Sequence, residues 1–138
     1  MSTETLLTRR SLATFGLLTM AGVGASTPAQ ATGGLIWHPL KLINGWSSYY
    51  RAPAIAADPA TKLIYLRGSI QQTSGTDHHA FSVAPIYRPG TYTYLVATNI
   101  NVTTGRIRID PTGQVMIEGD PQSNAQGFTS LEGLYYTR

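Results

Sequence analysis

The sequence predicts an all-β domain, a single antiparallel β-sandwich of jelly-roll type with about seven to nine strands. The first observation behind this prediction is that turn signals rich in Gly, Pro, Asn and Asp recur about every eight to twelve residues after residue 31. The second is that no segment of this region has apolar residues at helical spacing over three turns, whereas several segments alternate with the period of two that strands require.

The first 31 residues have the features of an export signal, and we predict cleavage after Ala31. Arg9 and Arg10 precede an apolar stretch at residues 12–23, and the small residues Ala29 and Ala31 fit a signal-peptidase site. The stretch is shorter than the roughly 20 apolar residues of a transmembrane helix. The arginine pair resembles the twin-arginine signal, whose cargo is exported folded, and a general-secretory signal is the alternative. Both predict a secreted protein.

Cleavage would leave residues 32–138, which is 107 residues and enough for one domain with one core. The leader carries Arg9, Arg10 and Glu4, so the remainder has eight basic and six acidic residues and a net charge of +2. The chain has no cysteine, so neither a disulfide nor a lipid-modified cysteine supports it. A weak positive charge without basic runs favours neither nucleic-acid binding nor membrane insertion.

The first predicted elements are an interrupted strand and a tight turn. Residues 35–43 have a strand-like pattern that Pro39 breaks, and Asn44-Gly45 gives a strong turn signal. Trp46 follows the turn, and we expect its ring to close one end of the core. The next predicted elements are a short strand at 52–57 and a turn at 58–62.

Residues 63–70 are predicted to form the central strand. Arg67 and Gly68 are unexpected inside such an apolar run, because the charge must reach solvent or a partner and glycine weakens a strand. A polar loop over residues 72–79 follows, and it ends in His78-His79.

The second half of the chain alternates strand and turn patterns. Tyrosine and valine alternate with threonine at 91–98, which is typical of a sheet with two distinct faces. The clearest hairpin joins residues 105–110 to 114–118 across Pro111-Thr112-Gly113. The remaining predicted elements are a strand at 80–84, a polar loop at 119–127 and a closing strand within 128–137.

Five short motifs occur in one order along the predicted domain. They are Leu42-Ile43-Asn44-Gly45-Trp46, the run 63–70 with Arg67-Gly68, Tyr87-Arg88-Pro89, Gly105-Arg106-Ile107-Arg108-Ile109 with Gly113-Gln114-Val115, and Ser130-Leu131-Glu132-Gly133-Leu134-Tyr135-Tyr136. This order resembles a domain common in phage tail-fibre and receptor-binding proteins and in secreted bacterial proteins related to them. The resemblance covers nearly all of residues 32–138.

The resemblance implies a β-sandwich that binds surface glycans or other proteins and does no chemistry. Members of that family are often trimeric at fibre tips, so a homotrimer or a larger secreted complex is one expectation. The sequence differs from the family in its own leader and its lack of a fibrous stalk, which favours a compact binding module. The resemblance also implies framework positions, namely Asn44, Gly45, Trp46, Arg67, Gly68, Pro89 and Gly113.

A small secreted hydrolase is the enzymatic alternative. Serines and three histidines are present, but there is neither a Gly-x-Ser-x-Gly motif nor a cysteine, so nucleophilic catalysis has no support. Adjacent strand residues point to opposite faces, so His78 and His79 are poorly placed to share one metal ion. We therefore predict no catalytic residue, no metal site and no cofactor.

Aromatic residues are the strongest binding candidates, because amphipathic rings stack on sugars and anchor protein interfaces. Two tyrosines in succession cannot both point inward from a strand, so one of each pair should face outward. Arg88, like Arg67, either hydrogen-bonds a ligand or ties loops to carbonyls and glutamates. The candidate binding residues are Tyr49, Tyr50, Tyr87, Arg88, Tyr135, Tyr136, His78 and His79.

Two binding functions remain open at this point. One is recognition of a cell-surface glycan or a partner protein through exposed tyrosines and the loops at 72–79 and 119–127, since loops usually carry specificity. The other is an adaptor subunit of a secreted toxin or adhesive assembly.

Overall fold

The computed structural model describes residues 34–138, so the predicted signal peptide at 1–31 lies outside the described residues and its cleavage stays a prediction. The strands are β1 His38–Pro39, β2 Trp46–Ser48, β3 Ala54–Asp58, β4 Leu63–Arg67, β5 Ser69–Gln72, β6 His79–Ser82, β7 Thr93–Thr98, β8 Thr104–Ile109, β9 Gln114–Gly119, β10 Thr129–Ser130 and β11 Tyr135–Thr137. The helix α1 spans Gln122–Gly127, and single 3-10 turns occupy Pro85–Tyr87 and Ile100–Val102. No helix of this described part is long and apolar enough to cross a membrane.

The strands pair antiparallel in three sheets, which confirms the predicted all-β fold. The first sheet has the order β6-β9-β8-β7, the second β10-β5-β2 and the third β11-β4-β3-β1. A bridge between Asn99 and Thr129 connects the end of β7 to β10. Buried side chains from all three sheets form one core, so the sheets pack as a sandwich.

The predicted central strand at 63–70 is divided between two sheets at Gly68. Gly68 has φ +96°, and a Cβ at this position would lie 2.6 Å from the carbonyl oxygen of Ala52. Its N–H donates to the Glu132 carboxylate at 2.9 Å. Beside it, the Arg67 guanidinium lies 4.3 Å from the centre of the Trp37 ring, a cation–π contact. Gly68 therefore holds a backbone position at which a side chain would not fit.

Trp46 closes the core as the sequence predicted. Its side chain is 4% exposed, and its indole N–H donates to the carbonyl of Asp77 at 2.9 Å. Asn44 and Gly45 form the preceding turn with φ 57° and 82°. The side-chain amide of Gln72 donates to the carbonyls of both Asn44 and Asp77. These bonds fix the predicted loop at 72–79 against the turn.

Two further predicted elements differ from the structure, and residues 34–138 form eleven strands, several of only two or three residues, where about seven to nine were predicted. The strand-like pattern at 35–43 yields only β1, because Pro39 has no N–H to extend the ladder. The loop predicted at 119–127 contains α1, whose six residues are mostly polar and too few to show helical periodicity. The predicted hairpin is confirmed, with Val115 of β9 opposite Ile109 of β8.

Candidate functional site

A cavity of about 260 Å³ lies where the β7–β8 turn meets the segments that follow β2 and α1. Its walls come from Tyr49 and Tyr50, from residues 98–102, and from Phe128. We call it the Tyr50 cavity. Three segments far apart in the sequence thus supply one site.

The β7–β8 turn is strained in a way that the sequence does not show. Asn101 and Val102 both have positive φ, 60° and 59°, and the N–H of Thr103 donates to the carbonyl of Ile100 at 3.3 Å. Asparagine tolerates this left-handed conformation, whereas a β-branched residue there is an outlier costing roughly 1–2 kcal/mol. The result is a valine side chain that is 88% exposed at the cavity rim.

Tyr50, in another of the lining segments, also has a positive φ. It has φ 61° and is also 88% exposed, within a bend closed by a bridge between Tyr49 and Arg51. The Tyr49 ring lies 4.3 Å from the Tyr50 ring and 5.7 Å, edge to face, from Phe128. The N–H of Tyr49 donates to Ser69, which anchors the bend to β5. The exposed ring therefore rests on a supported row of aromatic side chains.

The structure brings the two predicted recognition loops together beside this cavity. The side-chain amide of Gln126 in α1 donates to the side-chain oxygen of Gln72 at the end of β5, at 2.9 Å. Gly127 of α1 packs against Ile100, since a Cβ on this glycine would lie 3.1 Å from Ile100 Cδ1. The loop at 119–127 is thus held against both the loop at 72–79 and the β7–β8 turn.

A second cavity, of about 350 Å³, lies on the outer face of β8 and β9. Arg106 donates from Nε to Glu118 Oε1 at 2.7 Å, and this bond raises the pKa of Arg106 above its ordinary value. The Arg106 guanidinium also lies 5.0 Å from the centre of the Tyr94 ring. Asp120 and Val96 complete the polar and apolar parts of the wall. We call this the Arg106 cavity.

Sequence reasoning predicted the two-faced pattern of β7 but did not select its outer residues as a site. Tyr92, Tyr94 and Val96 are all more than half exposed, and Arg108 lies 6.0 Å from the Tyr92 ring centre. The alternation at 91–98 was a sufficient signal for an exposed aromatic face, because its inner positions Leu95 and Ala97 pack on the core.

Tyr136 is a core residue, so its place among the binding candidates is corrected. Its side chain is 4% exposed and its hydroxyl donates to the carbonyl of Tyr87 at 2.7 Å. Burial raises the pKa of the Tyr136 phenol, which stays neutral. Tyr135 points outward as one of the pair should, but it lies against Tyr65, 6.2 Å between ring centres, and lines neither cavity.

Tyr87 and Arg88 also line neither cavity. Tyr87 packs partly buried against the core. Arg88 donates from Nε to the carbonyl of Val83 at 3.2 Å and occupies the space that a side chain at Gly113 would need. This contact ties loops together, as the framework interpretation of Arg88 expected, and it explains why glycine follows the turn at Pro111 and Thr112.

His78 and His79 are half-buried and lie outside both cavities. His79 Nε2 lies 3.0 Å from Ser82 Oγ, the pair closest to a nucleophile and base. The Asp77 carboxylate accepts from the backbone N–H of His79 rather than from its ring. Within residues 34–138 no three His, Cys, Asp or Glu side chains are grouped as a metal site.

The fold is a β-sandwich like that of a phage receptor-binding protein. The receptor-binding protein gp15 of Listeria phage PSA matches with a TM-score of 0.65 and 14% identity, over 76% of this chain and 66% of that protein. The chain therefore spans just under two thirds of that protein's length, and the resemblance inferred from the motif order is confirmed at the level of the fold. No protein-family model and no curated protein matches the sequence.

Proposed function

We propose that the chain is a secreted, non-catalytic binding module that recognises a cell-surface glycan or a partner protein through the Tyr50 cavity. The observation that carries this proposal is that Tyr50 and Val102 line one cavity. Each has a left-handed backbone conformation and an exposed apolar side chain.

Such an arrangement opposes folding stability in two ways. Each strained residue lowers the free energy of unfolding by of order 1–3 kcal/mol. Burial of a large apolar side chain, in place of its exposure, would raise the free energy of unfolding by about 1.5–3 kcal/mol. Backbone strain of this kind is concentrated at functional sites in folded proteins, and apolar patches at the surface mark interaction sites. The cavity therefore has the physical signature of a surface selected for contact with another molecule.

The fold likeness supports a role in recognition. The matched phage protein is described as a receptor-binding protein, and its description refers to that protein alone. For this chain it favours binding over catalysis, in agreement with a His79–Ser82 pair that has no carboxylate on the histidine ring in the described structure. The leader-like residues 1–31 favour action outside the cytoplasm.

A cell-binding assay with matched tyrosine variants tests the proposal. The fluorescently labelled protein, purified after export, is titrated onto intact bacterial cells and onto secreted proteins immobilised from the native culture. Tyr50→Ser should lower binding about tenfold or more, because it removes the exposed ring. Tyr135→Ser is the control, since Tyr135 is exposed but lies outside both cavities.

An adaptor subunit is the second candidate, and the outer face of β7 favours it. Tyr92, Tyr94 and Val96 form a row of exposed apolar side chains on one strand face. Such a row fits a protein interface in a larger secreted complex or a homotrimer. Val96→Lys should then abolish a complex seen by light scattering of native culture fractions, and a monomer in all fractions contradicts this candidate.

A further inference from the structure

We infer that the Tyr50 cavity and the Arg106 cavity are two halves of one site, and that its ligand is a neutral oligosaccharide of at least two sugar units. This inference rests on the proposed binding function and narrows it to one ligand class. It draws on the register of β7 and β8, the size of the two cavities and the charges that line them.

The linings of the two cavities include a pair of cross-strand neighbours. Thr98 lines the Tyr50 cavity and Thr104 lines the Arg106 cavity, and the two threonines are directly opposite each other in the β7–β8 pair. Directly opposed residues share a sheet face and have Cβ atoms roughly 4.5–5.5 Å apart. The two cavities therefore adjoin at this pair of threonines.

The size of the cavities favours a ligand with more than one unit. Their volumes of about 260 and 350 Å³ lie at or below the lower end of the roughly 300–1,000 Å³ of small-molecule sites. Thr98 and Thr104, which adjoin in the β7–β8 pair, are both exposed. A chain of sugar units can cross this boundary, with one unit in each half.

The chemistry of the Tyr50 half suits an uncharged ring with one apolar face. Rings and aliphatic groups from Tyr50, Ile100, Val102 and Phe128 form most of its wall, and no lysine, arginine, aspartate or glutamate lines it. A pyranose ring offers an apolar face for stacking and hydroxyl groups at its edge. A charged ligand group would find no counter-ion here.

The Arg106 half supplies donors and acceptors in the combination that hydroxyl groups use. A hydroxyl both donates and accepts, so it can bond the Arg106 guanidinium and a carboxylate at the same time. Glu118 and Asp120 set two carboxylates against one guanidinium, which leaves one net negative charge. That charge disfavours phosphate-bearing and carboxylate-bearing glycans and favours neutral ones.

Calorimetric titration with defined trisaccharides tests this inference. The exported protein is titrated with neutral cellotriose, chitotriose, maltotriose and mannotriose, and with anionic trigalacturonate. At least one neutral trisaccharide should bind, with an affinity about tenfold or more above that of trigalacturonate. Binding of trigalacturonate alone, or of none of the five, overturns the inference.

Variants at the shared boundary make the test specific. Thr98→Tyr places a ring between the halves and should weaken trisaccharide binding about tenfold, whereas Thr137→Tyr, another exposed strand threonine, should change it less than about twofold. Asp120→Ala, which lies outside the strands, should weaken binding about threefold. Circular dichroism checks that each variant folds. Unchanged binding by folded Thr98→Tyr or Asp120→Ala contradicts a site that spans both halves.

Failure of this inference can be told apart from failure of the proposed function. If the full chain binds cells or a protein in a Tyr50-dependent way but binds no neutral trisaccharide, the ligand class is wrong and the binding function stands. If Tyr50→Ser leaves cell and protein binding unchanged, the proposed function itself is contradicted.

Discussion

Tyr50 and Val102 share one backbone conformation and one cavity, with φ 61° and 59° and with 88% of each side chain exposed. Neither residue is a usual occupant of the left-handed region, which glycine and asparagine adopt far more easily. Both positions therefore carry an exposed apolar residue at a cost in stability.

Val102→Gly should stabilise the fold and weaken binding. Relief of the strain from the positive φ at residue 102 outweighs the backbone entropy that glycine loses on folding. The change also creates an Asn-Gly pair, which is favoured in a tight turn with positive φ at both central residues. We expect the free energy of unfolding to rise by about 1 kcal/mol, measured by urea denaturation. Val102→Ala, which keeps the strain, is the control, and a destabilised Val102→Gly contradicts the assigned turn.

Gly68→Ala should be strongly destabilising. A Cβ at Gly68 would lie 2.6 Å from both the carbonyl oxygen of Ala52 and Cα of Pro53, at φ +96°. Backbone must move to relieve both contacts, so we expect a loss of about 2–3 kcal/mol or more in the free energy of unfolding. Gly90→Ala is the matched control, because no atom lies within 4 Å of its Cβ position. Equal melting temperatures for the two variants would refute the role given to Gly68.

Stability should fall in alkaline solution, with Tyr136 as one cause. Burial raises the pKa of Tyr136, so above a pH of about 10 the unfolded chain loses a phenol proton that the folded chain keeps. The contribution of the protonated Tyr136 phenol to the free energy of unfolding is fully present below that pH and is lost as the pH rises above it. Tyr136→Phe should lower stability at pH 7 by about 1 kcal/mol, because the bond to Tyr87 is lost, and should make the alkaline decline shallower. Melting temperatures are measured against pH for both proteins. If the melting temperature of Tyr136→Phe declines with alkaline pH as steeply as that of the unmodified chain, this assignment is contradicted.

Replacement of Arg9 and Arg10 by lysine tests the proposed export route. The twin-arginine system reads the arginine pair, so the double variant should accumulate unprocessed in the cytoplasm, as measured by fractionation and immunoblotting. A general-secretory signal accepts lysine in the same region. Normal export of the double variant therefore identifies that second route.

The fold could be predicted from the sequence because its signals are local. Asn44-Gly45 specifies a turn with positive φ, and the tyrosine–valine alternation of β7 specifies which side chains face outward. The hairpin around Gly113 was readable for the same reason. The helix α1 was missed because six polar residues leave no periodicity to detect.

The candidate site was only half predictable. The Tyr49-Tyr50 pair indicated one outward ring, but nothing in the sequence says that Val102 lines the same cavity, since the cavity joins three distant segments. The strain at Val102 was equally hidden, because Asn-Val is not a usual pair for such a turn. Adjacent strand residues point to opposite faces, but this rule could not decide which of Tyr135 and Tyr136 was buried. The face that each residue occupies depends on how the strand pairs with its neighbour in the sheet.

Binding of the Tyr50→Ser variant to intact bacterial cells or to immobilised secreted proteins is the most direct test of the central claim. The exported unmodified protein and its Tyr50→Ser and Tyr135→Ser variants are compared in one labelled titration, with circular dichroism to show that all three fold. We expect Tyr50→Ser to bind about tenfold more weakly or worse and Tyr135→Ser to bind like the unmodified chain. Equal binding by all three proteins would contradict the Tyr50 cavity as the recognition site.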